Sequence, residues 1–126
     1  MNPDTNAGPN PDATTALLRL FVSEHDKAQG RPLYEWIIAQ AKLGGLAGAT
    51  ATRGLMGFGP HSKAIHSFKI EHLALDLPII VEMIDAQDRL QTFLTEIQPE
   101  LPTGLLITLQ TVERLRIQTP TETRQG

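Results

Sequence analysis

The stretch from Arg53 to Lys63 combines glycines with side chains that can bind an anion. Glycines let backbone N–H groups approach an anion closely, and arginine, lysine and serine add charge or hydrogen-bond donors. This combination predicts a site for a phosphate or carboxylate group. The candidate ligand-binding residues of the stretch are Arg53, Gly54, Gly57, Phe58, Gly59, Ser62 and Lys63.

Two known phosphate-binding motifs do not fit this stretch. The spacing from the glycines to Lys63 is wrong for a Walker A loop, and no predicted helix follows it. The Gly57-Phe58-Gly59 segment lacks the third glycine of a Rossmann fingerprint and leads into a predicted strand. The alternative stays open that the glycines only bend a strand into a turn, and that Phe58 packs in a core or interface instead of stacking on a base.

Metal binding and catalysis find little support in the remaining side chains. His66 and His72 lie six strand residues apart, roughly 20 Å, which is too far for both to bind one ion within a subunit. His61 and His66 can approach each other only across a loop. The chain has no Cys, Ser62 lacks a nucleophile-elbow context, and no pair of carboxylates fits a known acid–base template. We therefore expect no metal site and no enzyme activity.

The composition excludes further classes of function. The 126 residues include 11 Lys+Arg and 14 Asp+Glu, a formal net charge of -3, and no Cys. This mild acidity gives no field that attracts nucleic acid or an anionic membrane surface. No apolar run approaches the roughly 20 residues that cross a bilayer, and the first four residues lack the features of a signal peptide. We expect a cytoplasmic protein without disulfides, nucleic-acid binding or membrane insertion.

The two ends of the chain differ from its middle. Residues 1–16 contain three prolines and three asparagines, and their only apolar side chains are Met1 and three alanines; residues 118–126 contain no apolar side chain. Neither segment can bury enough surface to offset the entropy lost when it becomes ordered. We therefore expect disordered tails over 1–16 and 118–126, and one domain over 17–117.

The first half of this domain reads as a strand, a helix and a second strand. Residues 17–23 are short and apolar, which is typical of a strand. Pro32 suits the first position of a helix, and apolar side chains at a spacing of four continue to Ala41 before Gly44 ends the run. Residues 49–58 are rich in threonine and small side chains, and they predict a strand that runs into the glycine stretch.

The second half repeats this order. Residues 66–75 and 77–84 read as extended, with a break near Asp76. Asp85 can cap the next helix, whose apolar stripe runs from Leu90 to Leu101 and ends at two prolines. Residues 105–112 predict a last strand, with a continuation to Ile117 left open.

The order strand, helix, strand, strand, helix, strand predicts an α+β fold of the ferredoxin-like βαββαβ type, with a four-stranded antiparallel sheet and two helices on one face. The strands carry apolar side chains on both faces: Ile79 and Val81 alternate with Ile80, and Leu18 follows Leu17. Two helices cover one face only, and an open apolar sheet exceeds the patch that a monomer tolerates. We therefore predict a homo-oligomer. Glu82 must pair with a basic group or face a polar part of that interface.

Four segments resemble a PII-like family of bacteria and archaea that is catalogued as domain of unknown function one-ninety. The resemblance covers essentially all of 17–117, and its most specific piece is the Arg-Gly-x-x-Gly-Phe-Gly pattern. It implies a ferredoxin-like subunit that assembles as a homotrimer, with the sheets packed toward the three-fold axis. The four segments are residues 20–27, 30–34, 48–59 and 75–82.

The resemblance to the broader PII superfamily also implies a function. Clefts between subunits of that superfamily bind adenine nucleotides or other small effectors, and a mobile loop between the second and third strands docks on a target, often a transporter or an enzyme. Glu24, Asp26 and Lys27 follow the first strand and can line the same cleft as the glycine stretch. The alternative, which we favour for this turn, is that its side chains only bond to the local backbone.

The leading hypothesis is thus a trimeric PII-like regulatory protein that binds a small effector, with an adenine nucleotide as candidate, and signals through residues 57–67. One alternative is a trimeric divalent-metal-binding or tolerance protein without nucleotide affinity, since divalent-cation tolerance proteins share this architecture. A structural protein that captures its partner through the tails is a third hypothesis.

Overall fold

The computed structural model describes residues 13–59 and 76–117. A short 3-10 helix, Gln98–Glu100, follows the second α-helix. The predicted extended segment over 66–75 lies outside the described residues. In chain order, the other elements are β1 (Thr15–Ser23), β2 (Lys27–Ala28), β3 (Arg31–Pro32), α1 (Leu33–Leu43), β4 (Ala49–Arg53), β5 (Pro78–Ala86), α2 (Gln87–Ile97) and β6 (Leu106–Thr111).

The main sheet has the strand order β4-β5-β1-β6, and each neighbouring pair is antiparallel. Together with α1 between β1 and β4 and α2 between β5 and β6, this order is the ferredoxin-like βαββαβ fold, so the predicted fold class is confirmed. The short strands β2 and β3 pair with each other in a separate two-residue hairpin, which the sequence pattern did not predict.

The core lies between one face of the sheet and the two helices. Strand β1 alternates strictly between half-buried and buried residues, because successive side chains of a strand point to opposite faces. Helix α1 packs against β4 and β5, and α2 packs against β5 and β1. The buried side chains that meet in this layer include Leu18, Leu20, Val22, Leu33, Trp36, Ile37, Ile79, Val81, Met83, Leu90, Phe93 and Ile97. We call this side of the sheet the covered face.

Asp85 does not cap α2, so that prediction is wrong. The residue lies within β5, and α2 begins after Ala86 without a side-chain cap. The Asp85 carboxylate is fully buried and accepts hydrogen bonds from the backbone N–H groups of Ala47 (2.9 Å) and Ala86 (2.7 Å). Arg89 lies 3.6 Å from it and donates to the Gly45 carbonyl. Asp85 therefore fixes the loop before β4 to the start of α2.

The opposite side of the sheet, which we call the open face, carries two apolar rows and a polar row between them. One row contains Leu17 and Ile84, and the other contains Phe21, Ile80 and Leu106. The central row holds Arg19, whose Nε donates to the Glu82 carboxylate at 2.7 Å. Glu82 thus has a basic partner, as one of the two expectations for it required. No helix among the described residues packs on this face.

The ends of β4 and β6 lie close to those predicted. Strand β4 stops at Arg53, just before the glycine stretch, and β6 covers Leu106–Thr111 of the predicted 105–112 without a continuation to Ile117. At its start, β1 begins two residues before the predicted boundary, at Thr15. Both described α-helices, α1 and α2, are too short to cross a membrane.

Candidate functional site

Three chain segments that carry polar residues meet at one end of the sheet. Strands β1 and β4 flank β5 and run antiparallel to it, so both end where β5 begins. The register places Ser23 opposite Pro78 and Arg53 opposite Ile79. The chain after β1, the chain after β4 and the residues before β5 therefore lie side by side.

Glu24 joins all three segments. Its carboxylate accepts a hydrogen bond from the guanidinium of Arg53 through Oε1 and one from the backbone N–H of Leu77 (3.1 Å) through Oε2. The Glu24 N–H in turn donates to the Leu77 carbonyl at 3.1 Å. The Leu77 N–H, together with the Arg53 charge, lowers the pKa of Glu24, although partial desolvation acts in the opposite direction. Glu24 is therefore held as a carboxylate beside Arg53.

The rest of the turn after β1 bonds to itself. The Asp26 carboxylate accepts from the Ser23 N–H (2.9 Å), and the Asp26 carbonyl accepts from the Leu33 N–H (2.8 Å). These bonds agree with the interpretation that the side chains of this turn bond to the local backbone. Lys27 lies exposed in β2. Of the three candidates here, Glu24 contacts Arg53, whereas Asp26 stabilises the turn.

A close approach of two segments of the chain requires a glycine at position 54. Its N–H donates to the Pro78 carbonyl at 2.7 Å, and a Cβ on Gly54 would lie 2.6 Å from the Pro78 Cγ. Such a distance would force the two segments apart. At Gly57 the corresponding distance to the Pro78 Cγ is 3.3 Å. The glycines of the predicted anion site thus have at least one structural role, and their approach to a ligand stays a prediction.

The segment after Gly54 exposes three large apolar side chains: Leu55, Met56 and Phe58, at 92%, 47% and 71% exposure. Phe58 lies outside the core of the chain, so the interpretation that it packs in the core is wrong. An interface role and base stacking remain open for it. Ser62, Lys63 and three of the four histidines lie outside the described residues.

Sequence reasoning missed the contribution of Asp76. Its carboxylate accepts a hydrogen bond from the Ser23 hydroxyl at 2.6 Å. The signal was present, because a break between two extended segments just before Pro78 must lie at a sheet end. The antiparallel neighbour of that strand ends at the same place, at Ser23. Within residues 13–59 and 76–117, no group of acidic and histidine side chains is arranged to hold a metal ion.

Comparisons with known proteins match this chain over most of its length. The model of the DUF190 family, described as Uncharacterized ACR, matches residues 15–114. A UPF0166 protein from Aquifex aeolicus (strain VF5) is 40% identical over 97 residues, which are 77% of this chain and 90% of the relative. A UPF0166 protein from Methanocaldococcus jannaschii is 29% identical over 91 residues, 72% of this chain and 82% of the relative.

One solved structure is similar to this chain at low sequence identity. It is a crystal structure from Thermus thermophilus, described as a candidate PII-like signaling protein. The identity is 21%, the TM-score is 0.45, and the alignment covers 80% of this chain and 88% of that one.

Proposed function

The chain belongs to the DUF190 family, and we propose that it is a trimeric, PII-like regulatory protein of the cytoplasm. It binds a small effector, with an adenine nucleotide as the leading candidate, in clefts between subunits. It acts on a target protein, such as a transporter or an enzyme, through the loop that leaves β4. In this proposal it has no catalytic activity of its own.

The observation that carries the proposal is the Glu24–Arg53 pair at the base of that loop. Arg53 is the last residue of β4, and half of its side chain is exposed, whereas Glu24 is mostly buried and tied to Leu77. A guanidinium has five N–H donors. Arg53 can therefore receive an anionic group of a ligand while it keeps or exchanges its bond to Glu24.

The geometry supports a route from this pair to the loop. The chain leaves β4 at Arg53 and enters β5 at Pro78, and the Gly54 N–H donates to the Pro78 carbonyl where these two ends lie side by side. An anion that competes with Glu24 for Arg53 changes the contacts on both sides of this base. A ligand shifts a loop only when it binds one loop state better than another. Because Glu24 contacts both Arg53, where the chain leaves β4, and Leu77, just before β5, ligand binding at this pair can favour one state.

The open face supports assembly. Two apolar rows surround the Arg19–Glu82 pair, and Ile84 and Leu106 are 47% and 44% exposed in the single chain. A trimer that packs its sheets toward a common axis would cover these rows. The ion pair would then be removed from water already paired, which avoids the cost of an isolated buried charge.

Calorimetry on the full chain tests the effector. We expect saturable heat with at least one of ATP, ADP and AMP, and an affinity reduced at least about tenfold by Arg53→Ala or Lys63→Ala, because each removes charge-assisted hydrogen bonds. The matched control is Lys42→Ala, which removes an exposed cation from α1 and should leave the affinity unchanged.

Two results would contradict the proposal. No heat with any nucleotide, together with saturable binding of a divalent cation, would favour the metal-binding alternative. If Arg53→Ala and Lys63→Ala both leave nucleotide binding intact, the nucleotide binds somewhere other than at Arg53.

A further inference from the structure

The chain continues past β6 with alternating side chains. The Val112 N–H still donates to the Thr15 carbonyl at 3.0 Å, but β1 begins at Thr15, so the described sheet offers no partner beyond it. Residues 113–117, which we call the arm, read Glu-Arg-Leu-Arg-Ile. Leu115 and Ile117 are 82% and 92% exposed. Two such side chains at a spacing of two are typical of a strand that covers an apolar surface.

A groove at the other edge of the sheet is lined mostly by apolar or small side chains, which suit the apolar side chains of the arm. It lies between α1 and β4 and has a volume of about 540 Å³. Strand β4 pairs with β5 on one side only among the described residues, and an unpaired strand edge is a template for a further strand. The residues that line the groove are mostly apolar or small: Tyr34, Ile38, Ala39, Ala49 and Ala51, with Glu35 and Thr50.

We propose that the arm of one subunit adds to β4 of a neighbouring copy as an antiparallel strand, with Leu115 and Ile117 in the groove between α1 and β4. This inference rests on the proposed homotrimer and adds to it a second contact, separate from the open face.

The topology supports the direction of this pairing. Strand directions alternate across β4-β5-β1-β6, so β4 and β6 run in opposite directions. When a second copy extends the sheet in the same orientation, its β6 and arm lie antiparallel to β4, and the helices of both copies stay on the same side. The two edges differ, so the contact is head-to-tail and repeats until a ring closes.

The side of the sheet to which Leu115 and Ile117 point also agrees with this pairing. In β6, Ile107 and Leu109 pair with Leu20 and Leu18, which lie on the covered face. Counting on in steps of two reaches Leu115 and Ile117, so a regular continuation of β6 points them to the side on which the groove lies. A slip of one residue would point them to the open face instead.

In one register of the arm against β4, the facing side chains match in both charge and size. Ala49, Ala51 and Arg53 lie on the covered face, opposite Met83, Val81 and Ile79 of β5. In the proposed register, a glutamate meets an arginine and two large aliphatic side chains meet alanines. Cross-strand pairs of opposite charge stabilise a sheet. The facing pairs are Glu113 with Arg53, Leu115 with Ala51, and Ile117 with Ala49.

A cysteine pair tests this register, because the chain has no Cys of its own. Within one chain β4 and β6 are separated by two strands, roughly 14 Å, and a disulfide requires Cα atoms within about 7 Å. Oxidation of the full-length Leu115→Cys/Ala51→Cys variant should therefore link neighbouring chains into covalent dimers and closed trimers on a non-reducing gel. We expect at least about ten times more product than from either single variant or from Leu115→Cys/Thr52→Cys, because Thr52 lies opposite Ile80 on the open face.

The mass of the unmodified protein in solution separates this inference from the trimer itself. A trimer by light scattering without specific cross-linking of the 115–51 pair overturns the arm contact and leaves the trimer standing. A single-chain mass overturns both and removes the inter-subunit clefts of the proposed function. Nucleotide binding to a trimer whose 115–51 pair does not cross-link keeps the proposed function and overturns the arm contact alone. If the cysteine variant does not fold, a second variant tests the inference. Leu115→Asp/Ile117→Asp alters only exposed side chains and should weaken association at least about tenfold. Unchanged association would overturn the inference.

Discussion

The covered and open faces of the sheet are built from the same strands but are completed in different ways. Leu18 and Leu20 point to the helices and expose at most 1% of their surface, whereas Leu17 and Phe21 point the other way and stay half-buried. The covered face is closed by α1 and α2 of the same chain. The open face is closed, in the proposed trimer, only by other copies.

This difference separates stability from assembly. Burial of apolar surface stabilises the state in which it occurs, so side chains of the covered face stabilise the folded chain at any concentration. Side chains of the open face contribute most of their burial when copies meet. Leu20 and Phe21 are sequence neighbours on opposite faces, so substitutions there should affect different measurements.

The largest effect is expected from Phe21→Asp on the open face. Phe21 lies opposite Ile80 and Leu106, and a carboxylate in the middle of this apolar row would have no partner once buried. Light scattering at micromolar concentration should show the mass fall from three chains to one, while the far-UV spectrum stays that of the folded protein. Leu55→Asp, at an exposed position off the sheet, is the control and should keep the wild-type mass. A Phe21→Asp variant that stays trimeric would exclude the open face as the interface.

The second effect is expected from Leu20→Ala on the covered face. Leu20 is fully buried, and removal of a buried leucine side chain costs about 2–5 kcal/mol of unfolding free energy. Urea denaturation in the Phe21→Asp background measures this cost in single chains. Leu17→Ala in the same background is the matched control and should cost clearly less, because Leu17 lies on the open face. Equal losses for both variants would mean that the two faces are equally buried within one chain.

Most of the fold follows from periodicity. The alternation in residues 17–23 and 77–84 and the helical spacing after Pro32 are local signals, and the order of elements restricts the topology. The strand ends were less predictable because they depend on partners. Residues 113–117 look like a continuing strand, yet β1 begins at Thr15, and the described part of the sheet offers them no strand to pair with.

The candidate site was predictable only in part. The types of residue after β4 and β1 indicated an anion site, and the fold brings Glu24 and Arg53 together. Asp85 illustrates the limit of local patterns. Its position before a helix is typical of a cap, but its carboxylate accepts a hydrogen bond from the N–H of Ala47, a residue 38 positions away. Such a long-range bond has no signature in the local sequence.

The smallest effect concerns Glu24, which follows β1 at the end of the sheet. Its pKa is lowered from an ordinary value of 4.5. A group whose pKa is lowered by folding stabilises the folded state above its unfolded pKa, and this contribution is lost as the pH falls through the folded value. The wild type should therefore lose its stability advantage over Glu24→Gln as the pH falls below 4.5. Thermal unfolding from pH 7 to pH 3 measures this, with the exposed Glu35→Gln as control.

The cause of the shift can be separated with one further variant. The hydrogen bond from the Leu77 N–H lowers the pKa of Glu24 more than the Arg53 charge does. In Arg53→Ala the carboxyl midpoint, followed by NMR, should rise but stay below 4.5. A midpoint at or above 4.5 would mean that Arg53 alone holds the carboxylate. The charge of Glu24 would then depend on a half-exposed side chain instead of on the Leu77 backbone, and an anion that binds Arg53 in place of Glu24 would return the Glu24 pKa to its ordinary value.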